Sequence, residues 1–181
     1  MNVFEFAMKM EKDGQTYYEE HAAKEPNSAL KKIWLQLAKD EAKHYEIFRR
    51  MKDGEIGEAA KMAKVTTQIL SNVKTVFEEL ATKEEEFKFN KDVFAAWEKA
   101  QDVEIETEEF YRQKHEEEKD PEVKKAFGLL ADEENKHVNL IEHVLDFLHE
   151  PKSWLEDAEW SNIDKMSSYC RGARCAPSFP L

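Results

Sequence analysis

Glycine and proline are scarce, with five of each in 181 residues. A sheet protein built on tight turns needs more of both, so a β-rich fold is excluded. The abundance of Glu, Lys, Ala, Leu and Phe points instead to long helices. Cysteine is rarer still. Cys170 and Cys175 stand near the C-terminus, and two thiols cannot build a four-thiolate site within one chain. A local disulfide and a metal held between chains stay open, and two free thiols in a loose tail are the expectation. No apolar run approaches the ~18 residues of a membrane span, and the polar, acidic first 25 residues carry no signal-peptide pattern. The expected compartment is therefore the cytoplasm, with no membrane partner. Basic charge is also in deficit: 27 Lys and Arg face 39 Asp and Glu, a formal net charge of −12. Such a surface does not displace the counterions of a phosphate backbone, which excludes nucleic acid and favours cations as partners.

What is present is helical periodicity. A chain of this length is expected to form one domain. Residues 2–24 read as a first helix, ended by Pro26, and Ser28 is expected to cap a second. That second helix carries Leu30, Trp34, Leu37, Glu41, His44, Phe48 and Met51 at alternating spacings of four and three, and stops near Asp53 and Gly54. A third runs from about Asp92 to Glu118. Asp120 and Pro121 open a fourth that continues to His149, before Pro151. Between the second and third helices, Val65, Ile69, Val76 and Leu80 fall on one side of an expected additional amphipathic helix. A connection of that length returns the chain along the whole bundle, so helices two and three run parallel. The reading is an all-α four-helix bundle over residues 1–150 with one long crossover. Residues 151–181 form an extension in which Trp154 and Trp160 are expected to pack on the bundle. Its end, from Lys165 onward, loses periodicity and is expected to be flexible.

A shift of 93 residues superposes the first helix pair on the second without a gap. Phe4 falls on Trp97, Ala7 on Ala100, Glu11 on Glu104, Tyr18 on Tyr111, Trp34 on Phe127, Leu37 on Leu130, Glu41 on Glu134 and His44 on His137. The halves are expected to be related by an approximate twofold axis. The polar members are informative because each takes a place in the stripe where an apolar residue belongs. In DEAKH and EENKH, Glu and His are three residues apart, which puts both on one helix face about 4.5 Å apart along the axis. Glu11 and Glu41 are each 15 residues from Pro26, and Glu104 and Glu134 are each 15 residues from Lys119. Antiparallel partners equidistant from their turn meet at one height, so four carboxylates and two imidazoles converge on one layer.

An apolar core does not tolerate four ionised carboxylates without compensation. Two divalent cations supply the balancing charge, and this donor set suits first-row transition metals. The expected ligands are Glu11, Glu41, His44, Glu104, Glu134 and His137, with the four glutamates also expected to act in catalysis. Iron is the leading metal, with manganese and zinc as alternatives. Gly14, one turn from Glu11, is costly in a helix interior; room for a bound oxidant and close helix packing both account for it. Tyr17, Tyr18 and Tyr111 read as core residues or as donors to the ligands. His21, His115, His143 and His149 read as surface or supporting residues.

Over residues 1–150, MEKDGQTYY, DEAKHYEIF, VEIETEEFY and DEENKHVNL resemble the rubrerythrin branch of the ferritin-like superfamily. The resemblance implies that Glu41 and Glu134 are terminal or bridging ligands beside His44 and His137, with Glu11 and Glu104 completing the two iron positions. It implies a di-iron oxidoreductase reducing hydrogen peroxide or dioxygen with electrons from a rubredoxin-like donor, and a homodimer is expected. Rubrerythrins usually append a four-cysteine domain, which two cysteines cannot provide. They also carry a Glu three residues beyond the third-helix ligand, where Thr107 stands here, and Glu108 is the candidate to replace it. Ferroxidase chemistry with iron storage, and a non-catalytic helical scaffold, are the rival functions.

Overall fold

In a computed structural model, the described residues are 2–65, 67, 69–81 and 89–156. They form seven helices in the order α1 (Val3–Lys24), α2 (Ser28–Lys52), α3 (Ile56–Ala63), α4 (Ile69–Ala81), α5 (Lys91–Glu117), α6 (Pro121–His149) and α7 (Pro151–Glu156). The four long helices start where a side chain takes up their free N–H groups. Asn2 and Glu5 form a reciprocal capping box at α1, and Asp120 caps α6 with Pro121 in its first turn. At α2 the cap is Asn27, not Ser28: its Oδ1 accepts from Ala29 and Leu30, and Ser28 is the first helical residue. Gly54 closes α2 in the left-handed region at φ 82°, which a side chain resists.

Ring contacts give the helix directions. Trp34 of α2 stacks on Trp97 of α5, and further along Phe48 meets Tyr111 with centroids 5.1 Å apart. The residue numbers rise together, so α2 and α5 are parallel. On α1 they run opposite to α5: Phe6 meets Phe110, and Tyr17 donates to the Ala96 carbonyl at 2.8 Å. This is the one-crossover topology expected from the length of the connection.

The crossover holds two helices where one amphipathic helix was expected. Ile69, Val76 and Leu80 are buried as expected, but Val65 is 64% exposed. Helix α3 ends at Ala63, and α4 begins only at Ile69, whose N–H is taken by the Thr67 hydroxyl at 3.1 Å. The period restarts across this break, and Val65 falls out of register. Ala59 and Ala63 of α3 close the apolar cluster around Phe48 and Phe127, whereas α4 covers the cluster around Trp34, Trp97 and Val144. Trp154 of α7 lies 4.4 Å from the Phe77 ring and 5.9 Å from Phe147. Trp160, Cys170 and Cys175 lie outside the described residues. Among the described residues no helix is long and apolar enough to cross a membrane.

Candidate metal centre

Between the two apolar clusters lies a buried polar layer. Glu11 comes from α1, Glu41 and His44 from α2, Glu104 from α5, and Glu134 and His137 from α6; none is more than 4% exposed. They fall into two overlapping groups: Glu11, Glu41, His44 and Glu134, then Glu41, Glu104, Glu134 and His137. Within each group the ligand atoms lie within 4.8 Å of one another. Glu41 and Glu134 belong to both, so the layer has the form of two adjacent positions sharing two carboxylates. Each position then has its own glutamate and imidazole.

The pseudo-twofold extends to the hydrogen bonds. Tyr18 donates its hydroxyl to Glu104, and Tyr111 donates to Glu11. Each tyrosine lies on the helix opposite its acceptor and turns one oxygen of an unshared carboxylate in place. Both imidazoles present Nδ1 to the layer: His44 Nδ1 is 2.9 Å from Glu134, and His137 Nδ1 is 3.2 Å from Glu41 and 3.1 Å from Glu134. Gly14 leaves room for Glu41. A Cβ at that position stands 3.3 Å from Glu41 Oε2, so a ligand carboxylate occupies the space.

Electrostatics show how strongly this layer favours positive charge. Burial, reinforced by Glu104, Glu134 and Glu11, pushes Glu41 well above the ordinary carboxylate range. Burial also raises Glu104, to about 7, against the pull of His137. Burial opposes charge on His44 too, but Glu134 and Glu11 more than offset it and hold the imidazole well above its usual value. Against the same burial, His44 and His137 hold Glu134 below the ordinary carboxylate range. Among the described residues, eight side-chain atoms of Glu11, Glu41, His44, Glu134 and His137 are buried without a hydrogen-bond partner. Ionised carboxylates only accept, so they cannot satisfy one another. Two divalent cations fit the donor set, offset the four negative charges and take up the orphaned lone pairs.

A family model described as Rubrerythrin matches residues 2–145. The chain belongs to the rubrerythrin family. Neither a curated protein nor a solved structure matches it significantly.

Against the rubrerythrin pattern, the structure answers the question of the additional carboxylate. Thr107 is buried and donates its hydroxyl to its own helix, to Val103 O at 2.9 Å. Glu108 does not replace it. Its carboxylate is held by Arg112 at 2.9 Å and by the Asn135 amide at 3.0 Å, and it is in neither ligand group. Tyr17 is likewise outside the layer, unlike Tyr18 and Tyr111. Among the described residues, His21, His115, His143 and His149 also fall outside both groups.

Sequence reasoning missed Asp40, Glu133 and Thr67. Asp40 and Glu133 are buried, and each directly precedes a shared glutamate. Asp40 Oδ2 lies 3.6 Å from His137 Nε2 and accepts from the Thr67 hydroxyl. Burial alone would raise this carboxyl, but His137 and Thr67 hold it below its usual value. The signal was available, since the 93-residue shift superposes Asp40 on Glu133 as it does the ligands. Thr67 had no such signal, because the crossover occurs once.

Proposed function

We propose that the chain holds two iron ions in this layer and reduces hydrogen peroxide to water, drawing two electrons and two protons per peroxide from outside. A separate one-electron donor of rubredoxin type supplies the electrons. The observation that carries the reading is that Glu41 and Glu134 are shared by both ligand groups, because a shared pair of carboxylates is what holds two ions close enough to act on one small oxidant. When bound, two ferrous ions supply the two electrons together, so no radical need leave the site.

The protein's own part is positioning and the exclusion of water. Tyr18 and Tyr111 fix the outer carboxylates Glu104 and Glu11. The imidazoles offer Nδ1, and the apolar clusters above and below keep the layer dry, which strengthens each electrostatic contact within it. Gly14 leaves the space that the shared Glu41 carboxylate occupies. Thr107, at the matching place on the other hairpin, offers no further carboxylate, so the four glutamates and two imidazoles would hold both ions.

The test is anaerobic stopped-flow mixing of the diferrous protein with hydrogen peroxide and, separately, with dioxygen, followed by the near-ultraviolet absorbance that ferric carboxylate sites gain. The expected result is a faster reaction with peroxide, and repeated turnover only when an electron donor is present. Equal or faster reaction with dioxygen, with iron accumulating beyond two per chain, assigns the protein to iron oxidation and storage instead.

A further inference from the structure

The 93-residue relation makes Asp40 and Glu133 equivalent, yet the structure gives them different tasks. Asp40, on α2, faces the outer nitrogen of the opposite hairpin's imidazole, with Oδ2 3.6 Å from His137 Nε2. Twofold symmetry calls for Glu133, on α6, to face His44 Nε2. It does not. Glu133 takes the Thr67 backbone N–H at 2.7 Å and the Lys136 ammonium at 2.6 Å. Neither outer nitrogen has a partner within hydrogen-bond distance among the described residues, but His137 Nε2 faces a carboxylate whereas the ion pairs of His44 involve Nδ1 alone.

The residue that breaks the symmetry is Thr67. Its N–H holds Glu133, its hydroxyl donates to Asp40, and the same hydroxyl oxygen accepts the Ile69 N–H that starts α4. One donor and one acceptor are thus both used, in a fixed orientation. The crossover passes this layer once, and among the described residues no second threonine serves the other half.

The consequence falls on the imidazoles. A carboxylate at Nε2 selects the tautomer that keeps Nδ1 free, orients the ring and makes it a stronger donor. His137 has a carboxylate facing its Nε2 at 3.6 Å, within ion-pair reach though longer than a hydrogen bond, and its Nδ1 faces Glu41, Glu104 and Glu134 at 3.1–3.4 Å. His44 presents Nδ1 to the layer without support behind it. We infer that Thr67 is a positioning residue that makes the two metal positions unequal: the Glu104–His137 position takes the first divalent cation and holds it more tightly than the Glu11–His44 position. This inference rests on the two-metal reading above.

Titration of the metal-free protein with Co2+, read by its visible ligand-field absorption, separates the outcomes. The expected record is two steps whose affinities differ by at least roughly tenfold. His44→Ala retains the tighter step and His137→Ala loses it. Asp40→Ala weakens the tighter step by roughly 10–100-fold. Thr67→Val, which keeps its shape and N–H but loses the hydroxyl, moves it in the same direction, and Thr67→Ser restores it. Circular dichroism identifies any variant that fails to fold, and the serine rescue carries the test if the valine variant is lost. Two equal steps, or a tighter step that survives His137→Ala, overturn the inference and leave the two-metal reading standing. Absence of any binding step overturns both.

Discussion

Gly14→Ala pits two effects of opposite sign against each other. Position 14 lies in the interior of α1, where alanine is favoured over glycine by ~1 kcal/mol because it loses less backbone entropy on folding. Without metal, the substitution should therefore raise stability, and for a chain of this size the melting temperature rises by about 2–4 °C. The new Cβ, however, stands 3.3 Å from Glu41 Oε2. That is tight for carbon against oxygen, and the carboxylate has to withdraw by a few tenths of an ångström. Ligand oxygens tolerate displacements of only about 0.2 Å from their ideal metal distance. Glu41 serves both positions, so the affinity should fall by about tenfold, or ~1.4 kcal/mol of the stabilisation that saturating metal confers. The loss exceeds the helix gain slightly.

The expected pattern is thus a variant more stable than the parent without metal and equal or slightly less stable with it. Calorimetric melts with and without excess Mn2+ read both arms in one experiment. Gly57→Ala is the control: among the described residues nothing lies within 4 Å of a Cβ there, so its response to metal should match the parent. A Gly14→Ala protein with the parent's full metal-induced gain would show that Glu41 is not confined by Gly14 and would refute the argument.

Further outcomes follow from the same geometry. Reconstituted protein should contain close to two metal ions per chain by elemental analysis, and a trace amount would sink the assignment. Because Glu41 and Glu134 are in both ligand groups, their alanine variants should impair both ions, whereas Glu11→Ala and Glu104→Ala should each impair one; equal losses from all four would argue against shared carboxylates. Tyr111→Phe should weaken metal at the Glu11 position and Tyr18→Phe at the Glu104 position, by roughly tenfold each, in a metal titration; unchanged affinities would reduce the tyrosines to packing. Glu108→Gln should leave both binding steps unchanged, since Arg112 and Asn135 hold that carboxylate away from the layer; loss of a step would make Glu108 a ligand.

How far these features were legible before the structure depends on whether they were duplicated. The ligands stood out because each replaces an apolar residue in a stripe and recurs 93 residues later at the same distance from its turn. Periodicity and repetition together locate a side chain in three dimensions, which neither does alone. Asp40 and Glu133 recur too, but they sit beside a ligand and off the stripe, where an acidic residue in a charge-rich helix looks like a solvated one. Burial separates the two cases, and burial off the stripe is set by what packs outside the four-helix layer. Here that is the crossover, the least periodic part of the chain, whose break between α3 and α4 also misplaced Val65.

The same reasoning explains why symmetry is a good guide to the ligands and a poor one to their chemistry. A duplicated hairpin produces two equal half-sites, whereas a single chain needs one connection between the halves, and that connection has no twin. Any side chain it contributes to the layer is asymmetric by construction of the topology. Thr67 is that side chain, and it reaches both Asp40 and Glu133. Inequality of the two metal positions is therefore the expected result wherever a crossover touches the residues behind the ligands. Replacing Thr67 with serine keeps that touch, and replacing it with valine removes the hydroxyl part of it. A metal titration that distinguishes these two variants reads the topology directly, and one that does not would show that the crossover only covers the core.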